Sequence, residues 1–278
     1  MIEPVTVETR HIVGTTLGQV HMRVHRGDSA RGDTPLVLLH MSPRSSQMWT
    51  YLQPLLDRSS IAPDRPGYGF SDAPTVTPSL PQYAAAMWQA LNALGISGQV
   101  DLLGMHTGAL EALEMSLQAP ARVRHLGMIA IPVFNADEKA AGLRTFARMR
   151  VDPVEDGSHL LPAWKARFQY REPPFDVPDV QRRYVDYLLA PWPGQAYEAV
   201  FRYDTQAAFL ELKRQVIALA PHDDVIELTE RSRGLMPPGS LYIDLPHCGV
   251  DICRTHPREL ADLLKQHMPQ HPGETRTP

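Results

Sequence analysis

Short apolar runs and amphipathic helices alternate along most of this 278-residue chain, and that alternation limits the folds open to it. TPLVLLH at 34–40, QVDLLGM at 99–105 and VRHLGMIAIPV at 123–133 are typical of buried strands. PQYAAAMWQALNALG at 81–95 and TGALEALEMSLQAP at 107–120 each place apolar residues on one helical face. Strands that alternate with helices form mostly parallel sheets, so we predict an α/β fold whose ligand sites lie at the carboxyl ends of the strands.

Further strands are predicted on both sides of these segments. Near the N-terminus, VTVETRHIV and QVHMRVHRG alternate β-branched residues around two glycines, which predicts an antiparallel hairpin. Three more runs predict short strands: 59–67, 213–221 and 240–246. Residues 47–56 are predicted to form a helix, and PRELADLLKQHM at 257–268 predicts the closing helix.

The pattern changes near Phe134. From there to Asp204, helical pieces rich in Trp, Tyr and Arg are interrupted by prolines, and no buried strand is evident. We therefore predict a helical cap at 134–204, inserted into a core formed by 1–133 and 205–270. The last residues, 271–278, have no apolar anchor and predict a flexible tail.

Composition excludes several classes of function. The net charge of −4 comes from interspersed signs with no run of Lys and Arg, so we expect no nucleic-acid or membrane partner. The two cysteines, Cys248 and Cys253, form neither a disulfide framework nor a convincing zinc pattern. With no signal peptide and no apolar run near 20 residues, we expect a soluble cytoplasmic monomer or homodimer that binds a small molecule.

Several segments resemble the α/β-hydrolase superfamily in its version with a helical cap. LVLLHMSP at 36–43 is similar to the family's oxyanion-hole turn, and IAPDRPGYGFSD at 61–72 matches its D-x-x-G-x-G-x-S segment. Residues 102–129 follow its nucleophile elbow, helix and next strand, and 238–249 with 256–264 resemble its histidine-bearing segment. The resemblance implies an eight-stranded, mostly parallel sheet flanked by helices, with an inserted cap.

The elbow of that family is G-x-S-x-G, but this chain has GMHTG at 104–108, so His106 occupies the place of the nucleophile serine. The resemblance implies that the imidazole lies at a helix N-terminus. Because the positive end of the helix dipole disfavours a cation, we expect His106 to be neutral near pH 7 and competent as a base.

The other catalytic positions also depart from the pattern. The resemblance places Val250 where the general-base histidine belongs, and His247, three residues earlier, is the candidate to replace it. Asp223 corresponds to the acid of the triad, with Asp224 as a one-residue alternative. Backbone N–H groups of Met41 and Thr107 are expected to form the oxyanion hole.

Five further residues are candidates for contact with the substrate: His40, Ser42, Arg44, Trp164 and Trp192. His40 alternatively holds the oxyanion loop, and Ser42 alternatively caps the following helix. Arg44 is either a surface charge or a bidentate clamp for a substrate carboxylate. The cap aromatics, which also include Phe168, Tyr170, Tyr197, Phe201 and Tyr203, pack the cap helices or face the cavity.

Three functions remain compatible with these residues. His106 acts as general base, or as nucleophile through an acyl-imidazole, in hydrolysis of a small activated ester, lactone or dicarbonyl compound. Alternatively, it removes a proton from the substrate, as in a cofactor-independent lyase, isomerase, cyclase or decarboxylase. In the third, the protein binds a small molecule without catalysis. We expect no cofactor and no metal, because the histidines and acids lack metal-ligand spacing.

Overall fold

An eight-stranded sheet runs through the part of the chain that this computed structural model describes, namely residues 8–27, 34–150, 152–168 and 177–270. The strands are β1 (Glu8–Thr15), β2 (Gly18–His25), β3 (Leu36–Leu39), β4 (Ser60–Pro63), β5 (Val100–Met105), β6 (Val123–Ile129), β7 (Val216–Pro221) and β8 (Leu241–Leu245). Their order is β1-β2-β4-β3-β5-β6-β7-β8. β1 and β2 form the antiparallel hairpin, β2 pairs antiparallel with β4, and every later pairing is parallel. The predicted α/β-hydrolase fold is confirmed.

Helices pack on both faces of this sheet, and others form the segment between β6 and β7. In chain order, the helices of the described residues are α1 (Leu80–Ala93), α2 (Thr107–Gln118), α3 (Ala136–Thr145), α4 (Leu160–Ala166), α5 (Val177–Leu189), α6 (Gln195–Arg202), α7 (Thr205–Glu211), α8 (Ile226–Arg231), α9 (Ile252–Thr255) and α10 (Pro257–His267). Side chains alternate between the faces, so Leu102 packs with α1 and α2 whereas its neighbour Leu103 packs with α9 and α10. The parallel strands therefore bury both faces, as their continuous apolar runs predict.

The segment between β6 and β7 contains α3 to α7 and, in its described residues, no strand. A capping box begins α3, where Asn135 and Glu138 bond reciprocally, and the Asp204 side chain caps α7. The observed helices agree with the helical content expected for 134–204. The division into a core and a cap stays a prediction, and the predicted tail at 271–278 lies outside the described residues.

One predicted helix is wrong. Residues 47–56 form two separate 3₁₀ turns, Ser46–Trp49 and Gln53–Leu55, in place of a continuous helix. Pro54 is the second residue of the second turn, and proline lacks the N–H that an uninterrupted helix would need at this point. Among the described helices, none has the length and apolarity required to cross a membrane.

Candidate active site

His106 lies on a sharp turn between β5 and α2. Its backbone has φ 49° and ψ −114°, a conformation that L-residues rarely adopt, and its N–H donates to the carbonyl of Ile129 at 3.0 Å. The flanking glycines permit this turn. A Cβ on Gly104 would lie 2.0 Å from the carbonyl oxygen of Gly108, and a Cβ on Gly108 would lie 2.1 Å from that of Leu39. Both glycines of the motif therefore shape the elbow on which His106 stands.

The loop after β7 brings Asp223 to this imidazole. His106 Nε2 lies 2.7 Å from Asp223 Oδ2, and the side chains are 13% and 0% exposed, respectively. The second oxygen of Asp223 accepts the N–H of Val225 at 3.0 Å, which fixes the carboxylate. The structure thus brings together two of the predicted catalytic residues as a buried histidine–aspartate pair.

The pKa of His106 moves in the direction opposite to our expectation. Burial of the ring lowers it, but the hydrogen bond and charge of Asp223, together with the charge of Asp224, outweigh burial and raise the pKa above its ordinary 6.5. We predicted a neutral His106 from the helix dipole alone. A carboxylate at hydrogen-bond distance is a stronger influence than that dipole.

A cavity of about 620 Å³ opens beside His106. Of the residues predicted for the site, those that line it are Met41, Ser42, Arg44, His106, Thr107 and Asp224, and Val250 lines it too. Four aromatic side chains from the segment between β6 and β7 also line the cavity, and they are Phe134, Phe146 and the predicted cap aromatics Tyr197 and Phe201. The site is therefore a pocket of small-molecule size, with apolar walls and a few polar groups.

Met41 and Thr107 have the properties expected of oxyanion donors. Both line the cavity, and neither backbone N–H donates a hydrogen bond to any residue in the described ranges. The Met41 carbonyl accepts the N–H of Arg44 at 3.0 Å, which closes the turn after β3. Neither amide is therefore committed to a protein acceptor in the described residues, and their role as an oxyanion hole stays a prediction.

His40 is placed differently from the predicted substrate contact. It is 1% exposed, its Nδ1 contacts the Met41 carbonyl at 2.8 Å, and its Nε2 accepts the N–H of Arg65 at 2.9 Å. Burial, followed by the positive charge of Arg65, lowers the pKa of His40 to about 3. A neutral histidine with both nitrogens bonded to the backbone holds the loop after β3, in agreement with the alternative structural role, and it does not line the cavity.

Ser42 and Arg44 line the cavity but already bind protein groups. Ser42 Oγ accepts a bond from Arg65 at 3.0 Å, and its carbonyl accepts the Tyr197 hydroxyl at 2.6 Å. Arg44 Nε donates to Asp186 at 3.3 Å, and its Nη1 lies 4.0 Å from Asp251. Arg44 is therefore neither a solvated surface charge nor a cation left for a substrate carboxylate alone, because the carboxylates of Asp186 on α5 and Asp251 before α9 partly neutralise it.

His247 is not brought to the cavity. Its side chain is 53% exposed, and Nε2 lies 2.9 Å from both carboxylate oxygens of Glu259 in the first turn of α10. The turn after β8 carries it to the surface, and Val250 lines the cavity in the region where the resemblance expects a histidine. The prediction that His247 replaces the missing base is therefore wrong in its placement.

The two predicted tryptophans also lie away from the cavity lining. Trp164 packs edge-on against Phe168 and Tyr184, and Trp192 donates from Nε1 to the Ala147 carbonyl at 2.9 Å. Tyr170 lies outside the described residues. The sequence reasoning missed Phe134, although its position just after β6, at the carboxyl edge of the sheet, was a usable signal.

Two groups of side chains in the described residues have ligand atoms close enough to share a metal ion. In the first, His106 joins Asp223 and Asp224; in the second, His247 joins Cys248, His256 and Glu259. Within each group the ligand atoms all lie within 4.8 Å of one another. The expectation that the catalytic centre uses no metal stays a prediction.

Known proteins share this fold and part of this sequence. Residues 34–171 match the family model for the α/β-hydrolase fold. The 2-hydroxymuconate semialdehyde hydrolase of Pseudomonas sp. (strain CF600) is 30% identical over 154 residues, or 50% of this chain, and the match spans about half (52%) of that relative.

Two solved structures illustrate the likeness in fold. A thermophilic esterase from Thermogutta terrifontis superposes with a TM-score of 0.74 at 20% identity, over 94% of this chain and 98% of its own. The carboxylesterase CesB of Bacillus subtilis gives a TM-score of 0.76 at 16% identity, over 97% of this chain and 94% of its own.

Proposed function

We propose that this chain, which has the α/β-hydrolase fold, is an enzyme that hydrolyses a small activated ester, lactone or dicarbonyl compound with His106 as general base. The contact that carries the proposal is the 2.7 Å pairing of His106 Nε2 with Asp223, at the edge of the cavity. This contact leaves Nδ1 as the reactive nitrogen. Nδ1 makes no hydrogen bond to the described residues.

The proposed reaction uses one base twice. His106 Nδ1 removes a proton from a water molecule, and the resulting hydroxide attacks the substrate carbonyl. The N–H groups of Met41 and Thr107 stabilise the oxyanion that forms, and Asp223 stabilises the imidazolium. As the bond to the leaving group breaks, Nδ1 returns its proton to the departing oxygen of an ester or lactone, or to the departing carbon of a dicarbonyl compound. Direct attack by Nδ1, through a short-lived acyl-imidazole, is the covalent form of the same proposal.

The magnitudes favour an activated substrate. General acid–base catalysis by one side chain contributes about 10² to 10⁴-fold, and an oxyanion donor about 10² to 10³-fold. An unactivated amide requires more than these groups supply together. The relative that is 30% identical is named as a hydrolase of a semialdehyde, which supports a small carbonyl compound as substrate.

Proton transfer at carbon is the second candidate. Val250 lines the cavity where the resemblance expects the histidine that shuttles protons to a leaving group. A reaction in which His106 removes a proton next to a carbonyl, while Met41 and Thr107 hold the enolate, needs no such shuttle. This observation supports a lyase, isomerase, cyclase or decarboxylase as the second candidate.

A panel of nitrophenyl esters and lactones tests the hydrolase proposal. We expect turnover by the wild type and a loss of about 10² to 10⁴-fold in kcat/KM for His106→Gln, with the melting temperature retained. His222→Gln is the matched control, because His222 belongs to the same loop as Asp223 but pairs with Asp244 on the surface. Equal activity in the wild type and His106→Gln would overturn the proposal.

Two measurements distinguish the alternatives. Deuterium exchange into carbon acids, lost in His106→Gln and unaccompanied by ester turnover, would replace hydrolysis with proton-transfer catalysis. Tight binding of a metabolite without turnover of any kind would instead identify a binding protein. Labelling by a fluorophosphonate would reveal an activated serine and contradict the assignment of His106.

A further inference from the structure

We propose that His247, Cys248, His256 and Glu259 form a zinc site separate from the cavity. Each residue offers one ligand atom, and the four atoms all lie within 4.8 Å of one another. None of the four lines the cavity, so the site is distinct from the His106 pocket. Thiolate, imidazole and carboxylate are the ligands that zinc takes in proteins, and four protein ligands are typical of a structural site.

The fold supplies these ligands in two pairs. His247 and Cys248 are consecutive residues in the turn after β8, and the Cys248 N–H donates to the Leu245 carbonyl at 3.0 Å, which closes that turn. His256 is the N-cap residue of α10 and Glu259 lies three positions later in its first turn, so both side chains lie at the start of this helix. A shared ion would therefore bind the turn to the helix.

The distances suit a tetrahedral ion. With zinc–ligand bonds of about 2.0–2.3 Å, neighbouring ligand atoms are separated by roughly 3.3–3.8 Å. The 4.8 Å limit exceeds this by about one ångström, which rotation of the exposed His247 and Glu259 side chains can close. Cys248, only 2% exposed, provides a fixed inner ligand.

A hydrogen bond orients one of the proposed ligands, and the charges of the ligands match the charge of the ion. His256 Nδ1 bonds Thr255 Oγ1 at 2.9 Å, which leaves Nε2 as the ligating nitrogen and fixes its ring, as outer-shell partners do in zinc sites. The rings of His247 and His256 are 5.4 Å apart and nearly perpendicular, at 81°. One thiolate and one carboxylate neutralise Zn²⁺, so the site carries no excess charge.

The proposed ion would also support the active-site loop. The Cys248 carbonyl accepts the N–H of His222 at 2.8 Å, and His222 directly precedes Asp223. Zinc binding therefore fixes a turn that is hydrogen-bonded to the loop of the catalytic carboxylate. Its expected effect is on stability, because metal binding to a folded site adds directly to the free energy of unfolding.

Metal titration of the untagged, EDTA-dialysed full-length protein tests the site. We expect one Zn²⁺ per chain with a Kd tighter than about 1 µM by competition with a chromogenic indicator, and a higher melting temperature with zinc. Co²⁺ in the same site should show thiolate-to-cobalt charge-transfer absorption. Cys248→Ser should abolish that band and weaken zinc binding about 100-fold or more.

Matched variants locate the ion. Glu259→Gln changes an exposed ligand with little risk to folding and should also weaken binding, whereas Cys253→Ser, the other cysteine, should not. His106→Gln removes the second group capable of holding a metal and should leave zinc affinity unchanged. The proposal is overturned by absence of saturable binding, by retained affinity in Cys248→Ser and Glu259→Gln, or by loss of zinc only in His106→Gln.

Discussion

At the residue scale, His106 lies at the nucleophile position of the superfamily pattern and also makes the contact with the acid that a separate histidine makes in that pattern. An imidazole on the elbow extends further than a serine hydroxyl, and it reaches the Asp223 carboxylate directly at 2.7 Å. In the pattern that the sequence resembles, a separate histidine lies between the nucleophile and the acid. In the proposed mechanism, the carboxylate bonded to His106 orients it as a base, although Val250 occupies the histidine position.

The pH dependence of activity should report this pair. A neutral Nδ1 is the base, so kcat/KM should rise as His106 loses its proton, with a midpoint above 6.5 because Asp223 raises the pKa. Asp223→Asn removes the carboxylate charge and leaves the burial that lowers the pKa. The midpoint should therefore move to lower pH, and kcat should fall about 100-fold through loss of orientation.

Complete pH–rate profiles of the wild type and Asp223→Asn provide the measurement, with Asp244→Asn as the control. Asp244 pairs with an exposed histidine, His222, and its removal should leave the profile unchanged. An unaltered midpoint in Asp223→Asn would show that another group limits the reaction.

At the element scale, α5 is fixed to the core by charges. The carboxylate of Asp186 on α5 accepts hydrogen bonds from Ser45 Oγ at 2.6 Å and from Arg44 Nε at 3.3 Å, and both donors belong to the loop after β3. Asp186 is 1% exposed, and burial raises its pKa. This contact joins a helix of the predicted cap to the loop that carries Met41.

Asp186→Ala should release this contact. It leaves the Arg44 guanidinium, which is 17% exposed, without its nearest carboxylate, so we expect the free energy of unfolding to fall by about 2–4 kcal/mol. Urea unfolding measures the change, and limited proteolysis should show earlier cleavage. Asp152→Ala is the control, because the Asp152–Arg150 pair is 81% and 61% exposed and should contribute under about 1 kcal/mol. Similar losses in both variants would contradict the anchoring role.

Packing of α3 against α6 depends on Gly142. A Cβ at this position would lie 2.3 Å from the ring of Phe201, and both residues line the cavity. Gly142→Ala should therefore destabilise the protein by about 1–3 kcal/mol and reduce turnover of bulky esters more than that of acetates. Gly98→Ala, where a Cβ meets nothing within 4 Å, is the control in both assays. Equal effects of the two substitutions would argue against close packing here.

At the scale of the whole molecule, the sheet separates two apolar clusters. Leu113 on α2 belongs to the cluster on one face, and Leu260 on α10 belongs to the cluster on the other. Both side chains are fully buried. The active-site elbow and the Asp223 loop lie at the carboxyl ends of strands between these layers, so both clusters hold the site in place.

Cavities made on opposite faces should act independently. Leu113→Ala and Leu260→Ala should each lower the free energy of unfolding by about 2–5 kcal/mol. Because the sheet separates them, the double variant should equal the sum within about 0.5 kcal/mol in denaturant unfolding. A larger interaction energy would show that the two layers respond as one unit.

The sequence by itself determined the fold and the identity of the central pair. Alternating apolar runs fix strands and helices locally, and the spacing around Gly104, His106 and Gly108 specifies the elbow through backbone sterics. Asp223 was predicted from the resemblance to the superfamily, and the structure places it after β7, at the same edge of the sheet as the elbow. These features depend on residues close together in the chain, or on strand order.

Only the tertiary structure decided the electrostatics and the position of each remaining side chain. The direction of the His106 pKa depends on a carboxylate 117 residues away, and the partners of Arg44 come from α5 and the segment before α9. His247 was predicted for the site but lies beside Glu259 and His256, and Phe134 was found in the cavity wall. Charge, burial and cavity contact depend on distances between elements remote in sequence, and residue spacing along the chain contains no measure of those distances.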